Sequence, residues 1–299
     1  ASTVKVLRGK PPVDGAPAFE LAPSIVSVAS SSPSSVLVAD VDDDGVADVI
    51  VTTASTVEYT SGIALRGSWS TSVTVVASPA GTFPPKGLTP ANYDNDGHPD
   101  LTAIAAPGVF AVYRSYFVSG QLLFHPADAV FTPGSSMGPT VFATADINAD
   151  GRSDFFVPSN NEGAVRAVTS LVSIPGTNLI SASYALPLVD VNGISVVVGD
   201  FSGDGITDMV TTMTGPPSPA PRDHLAVAHG VSGGSFVLTS TIDVAALHPI
   251  AAVFADDVTA DGITDLVVLN SGSYFIHLIE GLGNATFRSV LKPMVIGTA

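Results

Sequence analysis

The chain of 299 residues contains no cysteine. Disulfide frameworks, thiolate zinc sites and cysteine nucleophiles are thereby excluded, and the redox compartment cannot be read from thiols. Basic residues are scarce: lysine and arginine total 11 against 27 acidic residues, for a formal net charge of −16. A phosphate backbone binds by releasing counterions to lysine and arginine, so no nucleic-acid partner is expected. Long apolar runs are missing as well. No stretch approaches the ~20 consecutive apolar residues of a membrane-spanning helix, so no membrane insertion is expected. The opening segment ASTVKVLRGK has no apolar core of the signal-peptide kind, so any such peptide is expected to have been removed already.

What the chain does hold is apolar and β-branched. Hydrophobic residues make up 45% and charged ones only 13%, enough apolar material for a sizeable core and too little charge for disorder. Valine, threonine, serine and alanine dominate, a bias toward strands. Length alone allows one large all-β domain or two ordinary ones.

The acids are clustered. DVDDDGVAD (Asp40 to Asp48) places like charges side by side, an arrangement that repulsion disfavours unless a cation sits among them. Its pattern returns four times. Asp40, Asp42, Asp44, Gly45 and Asp48 are followed by Asn92, Asp94, Asp96, Gly97 and Asp100, and then by Asp146, Asn148, Asp150, Gly151 and Asp154. Asp200, Ser202, Asp204, Gly205 and Asp208 come next, and Asp257, Thr259, Asp261, Gly262 and Asp265 close the series. The glycines are 52, 54, 54 and 57 residues apart, and the motifs hold sixteen of the 27 acidic residues. One match would be a weak signal; five in register are a strong one.

Apolar runs repeat around each motif. One precedes it (Val36 to Ala39, Val141 to Ala145, Val196 to Val198, Ala251 to Ala255) and one follows directly (Val49 to Thr53, Leu101 to Ala105, Phe155 to Pro158, Met209 to Thr212, Leu266 to Leu269). Third runs are read at Ile63 to Leu65, Phe110 to Tyr113, Leu225 to His229 and Tyr274 to Ile279. Fourth runs are read at Ser72 to Ala77, Gln121 to His125, Ser235 to Ser240 and Ala285 to Leu291. Each unit is four short antiparallel strands with the acidic loop joining the first to the second. Four-stranded units repeated about every fifty residues predict an all-β propeller over residues 1–299, where radial packing hides strand edges. A calcium-binding solenoid, whose repeat is nearer nine residues, is the alternative. Six blades are expected, with seven as the alternative. The sixth would be closed by both termini, from Val4 to Gly9 and Ala18 to Leu21 at one end and Met294 to Gly297 at the other.

The motif spacing suits a hard cation. Side-chain oxygens at positions 1, 3 and 5, a carbonyl at position 7 and a carboxylate at position 9 offer oxygen alone, and glycine at position 6 permits the turn. Calcium fits; zinc and copper prefer nitrogen or sulfur. The position-7 carbonyls are those of Val46, His98, Arg152, Ile206 and Ile263. Position 12, where an EF-hand has a bidentate glutamate, is Val51, Ala103, Val157, Thr211 and Val268, so these are β-type loops. A capped turn without metal is the alternative for any one loop, since aspartate, asparagine and glycine favour turns anyway. About five structural calcium ions are expected, weaker where Ser202 and Thr259 replace an acid.

Loops such as DVDDDGVADVIV and DFSGDGITDMVT resemble the FG-GAP or VCBS repeats of integrin α-subunit propellers and of secreted microbial proteins. The resemblance covers the full chain; of the Phe-Gly and Gly-Ala-Pro words of that consensus, only Ala105 to Gly108 keeps a trace. It implies calcium loops on one face and ligand contacts on the opposite face. That face maps to Ser55 to Ser61, Asn160 to Gly163, Thr214 to His224 and Asn270 to Tyr274, with Tyr59, Asn160, Asn161, Arg222, His224 and Tyr274 as ligand-binding candidates.

Catalytic signals are weak. Gly134 to Gly138 matches the G-x-S-x-G nucleophile pattern but lacks the helix that such a serine needs after it. His224 and His229 are five apart, on opposite faces of one strand. His98 is read as a solvated loop residue. No catalytic residue is assigned. The expectation is a secreted, calcium-stabilised binding module for carbohydrate or an extracellular protein, of the lectin or adhesin kind. A polysaccharide lyase using His224, Arg222, His277 and Tyr274 is one alternative, and a pure scaffold is another. Trp69 is the only tryptophan, few for a sugar-stacking propeller.

Overall fold

The computed structural model describes residues 3–13, 16–27, 33–53, 56–62, 74–77, 86–106, 109–125, 129–131, 142–159, 164–168, 183–185, 195–214, 223–232, 234–244, 250–270 and 275–295. Its regular elements are antiparallel strands arranged in several small sheets. Among the described residues no helix is long and apolar enough to cross a membrane.

β1 (Thr3–Val13) and β2 (Ala16–Ser27) pair, among the described residues, only with each other. Sheet 1 follows, with β3 (Ser35–Ala39), β4 (Asp48–Thr52), β5 (Thr56–Thr60) and β6 (Thr74–Ala77) in chain order. Sheet 2 begins with β7 (Lys86–Ala91), β8 (Asp100–Ala106) and β9 (Val109–Tyr113). A separate hairpin, β10 (Ser115–Val118) and β11 (Gln121–Phe124), intervenes before β12 (Ala129–Phe131) completes that sheet beside β9. Sheet 3 is β13 (Ala143–Ala145), β14 (Asp154–Ser159), β15 (Ala164–Val168) and β16 (Ser183–Ala185). Sheet 4 is β17 (Val196–Gly199), β18 (Asp208–Thr214), β19 (Asp223–Val231) and β20 (Ser235–Asp243). Sheet 5 is β21 (Ile250–Asp256), β22 (Asp265–Asn270), β23 (Phe275–Gly283) and β24 (Thr286–Val295).

In every four-stranded sheet an acidic motif joins the first strand to the second. The position-9 aspartate opens the second strand opposite the last residue of the first: Ala39 faces Asp48, Ala91 Asp100, Ala145 Asp154, Gly199 Asp208 and Asp256 Asp265. Alternation then gives each sheet two apolar faces, and a core layer fills each space between successive sheets. Ile50, Val57 and Tyr59 meet Leu88, Leu101 and Ala103; Ile104, Phe110 and Val112 meet Phe142, Phe155 and Val157. Phe156 meets Met209 and Ala226, and Val210 with Leu225 meets Val253 and Leu266. First strands are neighbours in series, β3 with β7, β7 with β13, β13 with β17 and β17 with β21.

Three expectations change. The third strand of sheet 1 is Thr56–Thr60, in the stretch read as a ligand loop, while Ile63 to Leu65 lie outside the described residues. Glu58 hid it: a charge interrupts the apolar run, yet that side chain is buried between strands. Gln121 to His125 is not the fourth strand of its unit, because β11 pairs with β10 and β12 takes that place. Met294 and Val295 belong to β24, opposite Ile276 and Phe275, and so form no first strand of a further unit. They extend that sheet's fourth strand to ten residues, paired along β23.

Candidate metal centre

The acidic loops share one hydrogen-bonding plan, from which the second departs at position 1, where Asn92 Oδ1 is buried with no hydrogen-bond partner. At position 1, Asp40 accepts from the amides of Asp44 and Gly45 at 3.2 and 2.9 Å. Asp146 accepts likewise from Asp150 and Gly151, Asp200 from Asp204 and Gly205, and Asp257 from Asp261 and Gly262. At position 5, Asp44, Asp96, Asp150, Asp204 and Asp261 each accept the amide of position 7, from 2.7 to 2.9 Å. Glycine at position 6 has φ from 79° to 88° in all five loops, the left-handed region the turn requires.

Position 4 is left-handed as well, in Asp43, Asn95, Ala149, Gly203 and Ala260, with φ from 58° to 81°. A Cβ is strained there, at a cost that asparagine and aspartate offset by local hydrogen bonding and alanine does not. Ala260→Gly is expected to raise stability by about 0.5–1 kcal/mol, the left-handed cost less the backbone entropy of glycine, measured as the shift in urea midpoint.

The position-9 aspartate anchors each loop from below. Asp48, Asp100, Asp154, Asp208 and Asp265 are all fully buried. One carboxylate oxygen accepts the amide of position 2 or 3, from Val41, Tyr93, Ile147, Ser202 and Val258. The other accepts an amide at the end of the third strand: Gly62 at 2.7 Å, Ser115 at 2.8 Å, Gly230 at 2.9 Å and Gly281 at 2.9 Å. Sequence reasoning missed these four. Their signal was a glycine 14, 22 or 16 residues past the aspartate, a gap that varies with the loop between strands.

Side chains at position 7 divide into two kinds. Val46, Ile206 and Ile263 lie against Gly62, Gly230 and Gly281. His98 and Arg152 instead reach the preceding loop: His98 Nδ1 is 2.6 Å from Asp43 Oδ2, and Arg152 Nη1 donates to the Tyr93 carbonyl at 3.0 Å. His98 remains partly exposed, as expected of a solvated loop residue, but it is not without partners, since its ring also lies 4.8 Å from that of Phe117. The bond to Asp43 holds its imidazole above the ordinary histidine range. Loop 2 also leans on loop 3 through Asn92, whose amide donates to Ser153 Oγ at 2.9 Å and whose Nδ2 donates to the Gly151 carbonyl at 3.3 Å.

Loop 1 is the most converged. Carboxylate oxygens of Asp40, Asp42 and Asp48 lie within 4.8 Å of one another, the one such group of three among the described residues. Asp42 Oδ2 accepts from the Tyr59 phenol at 2.5 Å, while Asp42 Oδ1 is buried with no hydrogen-bond partner. Burial pushes the carboxyls of Asp42 and Asp48 above the ordinary range, and burial first, then the Asp42 bond, raises the phenol of Tyr59. Tyr59 was expected at the opposite, ligand face, where its strand was taken for a loop. An oxygen-only donor set with one orphaned buried oxygen fits a hard cation. The residues that could hold it are Asp40, Asp42, Asp44 and Asp48 with the Val46 carbonyl, and their counterparts in the other loops. In the second, Asp94 lies 3.6 Å from Arg114 Nη1. In the fourth, burial pushes Asp200 up, yet the amides of Gly205, Gly203 and Asp204 hold it below its usual value.

Asp100 carries a pH test. Burial, opposed by the amides of Ser115 and Tyr93 and reinforced by Asp94 and Asp96, pushes its carboxyl up to about 6. A folded value above the unfolded 3.8 means that the fold favours the protonated form. This contribution is complete below pH 3.8 and is lost as pH rises through about 6. In chelator, unfolding free energy should fall by about 3 kcal/mol across that window on account of Asp100, and Asp100→Asn should flatten the profile there.

Of the ligand candidates, His224 lies on β19 opposite Met213 and Asp243. His277 of the lyase alternative is buried in β23, which pushes its imidazole below the ordinary range. The two point into different core layers, with neighbours of His224 facing sheet 3 and those of His277 facing sheet 4. Asn160, Asn161, Arg222 and Tyr274 lie outside the described residues, as do Gly134 to Gly138 and Trp69.

Residues 92–157, from the first position of loop 2 into the strand after loop 3, match the family model of the FG-GAP-like repeat. No curated protein sequence matches the chain. Among solved structures, a chain of the Photorhabdus luminescens Tc holotoxin pore is similar at 17% identity and a TM-score of 0.45, over 88% of this chain and 12% of that one. This overlap is too loose to bear on fold or function, and this chain spans only that small share of the toxin chain's length.

Proposed function

Starting from the FG-GAP-like repeat at residues 92–157 and its counterparts in register, we propose that the chain is a calcium-stabilised β-propeller acting as an extracellular binding module for carbohydrate or protein. The observation that carries the metal is the shared plan of five acidic loops, each pinned from below by a buried position-9 aspartate. Five bound ions would change the net charge from −16 to −6, relieving the crowding that the loops impose. The propeller is supported by the side-by-side first strands and the apolar layer between each pair of successive sheets. In this reading the ring has six blades, with the β1–β2 hairpin contributing strands to the sixth. Val36 and Val38, 52% and 63% exposed, point away from sheet 2, and Phe254, 46% exposed, points away from sheet 4. Those are the two outer faces that a sixth blade would cover.

Calcium in this reading is structural: it supplies charge neutralisation and cross-links each loop to its sheet, so its binding energy is folding energy. Equilibrium dialysis of the chelator-stripped chain against calcium should return about five ions per chain at millimolar calcium; fewer than two would overturn the reading. A glycan array in calcium buffer then separates the ligand classes. Sugar binding without product supports the lectin-like form, silence together with capture of an extracellular protein supports the adhesin form, and unsaturated sugar ends would instead reveal a lyase.

A further inference from the structure

The five loops are alike in backbone but not in what holds the position-3 ligand. Asp42 is gripped from the neighbouring strand by the Tyr59 phenol at 2.5 Å. Tyr59 faces Ile50, two residues past the position-9 aspartate. At the same register position the other sheets carry Val112, Ala167, Val227 and Leu278, none of which has a hydroxyl. Their position-3 residues are held otherwise or not at all. Asp94 lies against the Arg114 cation, Asn148 donates to Asp150 and Ser202 donates to Asp200, while the neutral Thr259 hydroxyl is not held, being buried with no hydrogen-bond partner.

We propose that Tyr59 is a positioning residue for loop 1 and makes it the tightest of the calcium sites, the one filled first. This rests on the calcium reading above. The phenol occupies Oδ2 of Asp42 and leaves Oδ1, buried and without a hydrogen-bond partner, as the oxygen turned to the ion. Asp40 and Asp48 are fixed in the same way by two amides each. All three carboxylates of the converged group are therefore oriented before the ion arrives; amides hold positions 1 and 9 in other loops as well, so the ordering cost that the phenol removes is that of the position-3 carboxylate. Charge acts in the same direction. Loop 1 alone has aspartate at positions 1, 3, 5 and 9, and its position-3 carboxylate is bonded to a neutral donor, so the full attraction for the cation remains. The Asp94–Arg114 pair of loop 2 diverts part of it.

The test is calorimetric titration of the stripped full chain with calcium chloride, for wild type, Tyr59→Phe, Asp42→Asn and the double variant. Tyr59→Phe keeps the buried ring and removes only the donor. It should weaken the tightest class of sites about tenfold, the usual effect of losing a group that orients a metal ligand, and leave the weaker classes unchanged. Asp42→Asn should abolish that class, and adding Tyr59→Phe to it should change no site further. A tight class unaltered in Tyr59→Phe overturns the proposal, as does uniform weakening of every site, which marks a merely structural tyrosine. If Tyr59→Phe does not fold, terbium replaces it. Tyrosine-sensitised emission at the first equivalent should vanish in Asp42→Asn and persist in Asp94→Asn, and the reverse pattern overturns the assignment. Absence of any calcium heat or terbium emission in wild type would remove the calcium reading itself, a failure distinct from that of Tyr59.

Discussion

EDTA is expected to lower the melting temperature of this protein by about 10 °C or more. An ion that binds only the folded chain stabilises it by mass action, and sites with dissociation constants near 10⁻⁴ M in millimolar calcium contribute about 1.4 kcal/mol each. Five such sites approach 7 kcal/mol, a large fraction of the stability of an ordinary domain. For a chain of this size each kilocalorie moves the midpoint by roughly 2 °C. The effect should be reversed by excess calcium and should follow calcium concentration logarithmically. Differential scanning calorimetry in calcium and in EDTA reads it directly. Superimposable curves would mean that the loops are capped turns whose amides suffice, for each position-1 and position-9 carboxylate already has backbone donors on it.

Replacing Gly230 by alanine should be the most damaging small substitution, costing about 3–5 kcal/mol from backbone overlap and a strained buried bond. A Cβ built on Gly230 would stand 2.1 Å from the Thr207 carbonyl oxygen and 2.8 Å from Cγ2 of Ile206. Neither can yield cheaply. The carbonyl belongs to the residue before Asp208, and the Gly230 amide is the donor that satisfies one oxygen of that fully buried carboxylate. Moving the strand aside breaks the bond and strands a buried charge. Gly62 and Gly281 meet Ala47 and Thr264 at 2.2 Å in the same manner, so Gly62→Ala and Gly281→Ala should behave alike. Sheet 2 supplies the control. There the amide comes from Ser115, where the chain leaves into the β10–β11 hairpin, and Ser115→Gly should cost about 1 kcal/mol or less. Urea unfolding of the four variants in calcium reads the comparison; equal midpoints for Gly230→Ala and wild type would refute the close approach.

Much of this was legible because the determinants are local. The oxygen spacing and the position-6 glycine lie within nine residues, so the turn can be read along the chain. The strands after each loop were legible for the same reason: Val49 to Thr53 and Val210 to Thr212 are unbroken β-branched runs. Where a strand carried a buried charge, as at Glu58 in β5, the periodic signal failed. The whole segment, with Tyr59, was then placed at the wrong end of its sheet. The hairpin β10–β11 misled in the opposite direction, since Gln121 to Phe124 is a genuine strand and only pairing could say which sheet it joins.

The sequence by itself determined where the five loops stand, their turn geometry and the chemistry of ion they suit, since those follow from residues a few positions apart. Only the tertiary structure decided that a phenol from the neighbouring strand grips Asp42, that third-strand amides close the position-9 carboxylates, and that His98 and Arg152 each reach the loop of the preceding sheet. His98 and Asp43 are 55 residues apart in the chain, and Arg152 and Tyr93 are 59 apart. Such bonds depend on how whole sheets pack against one another, and packing is settled by the summed burial of their faces, which no short stretch of sequence contains.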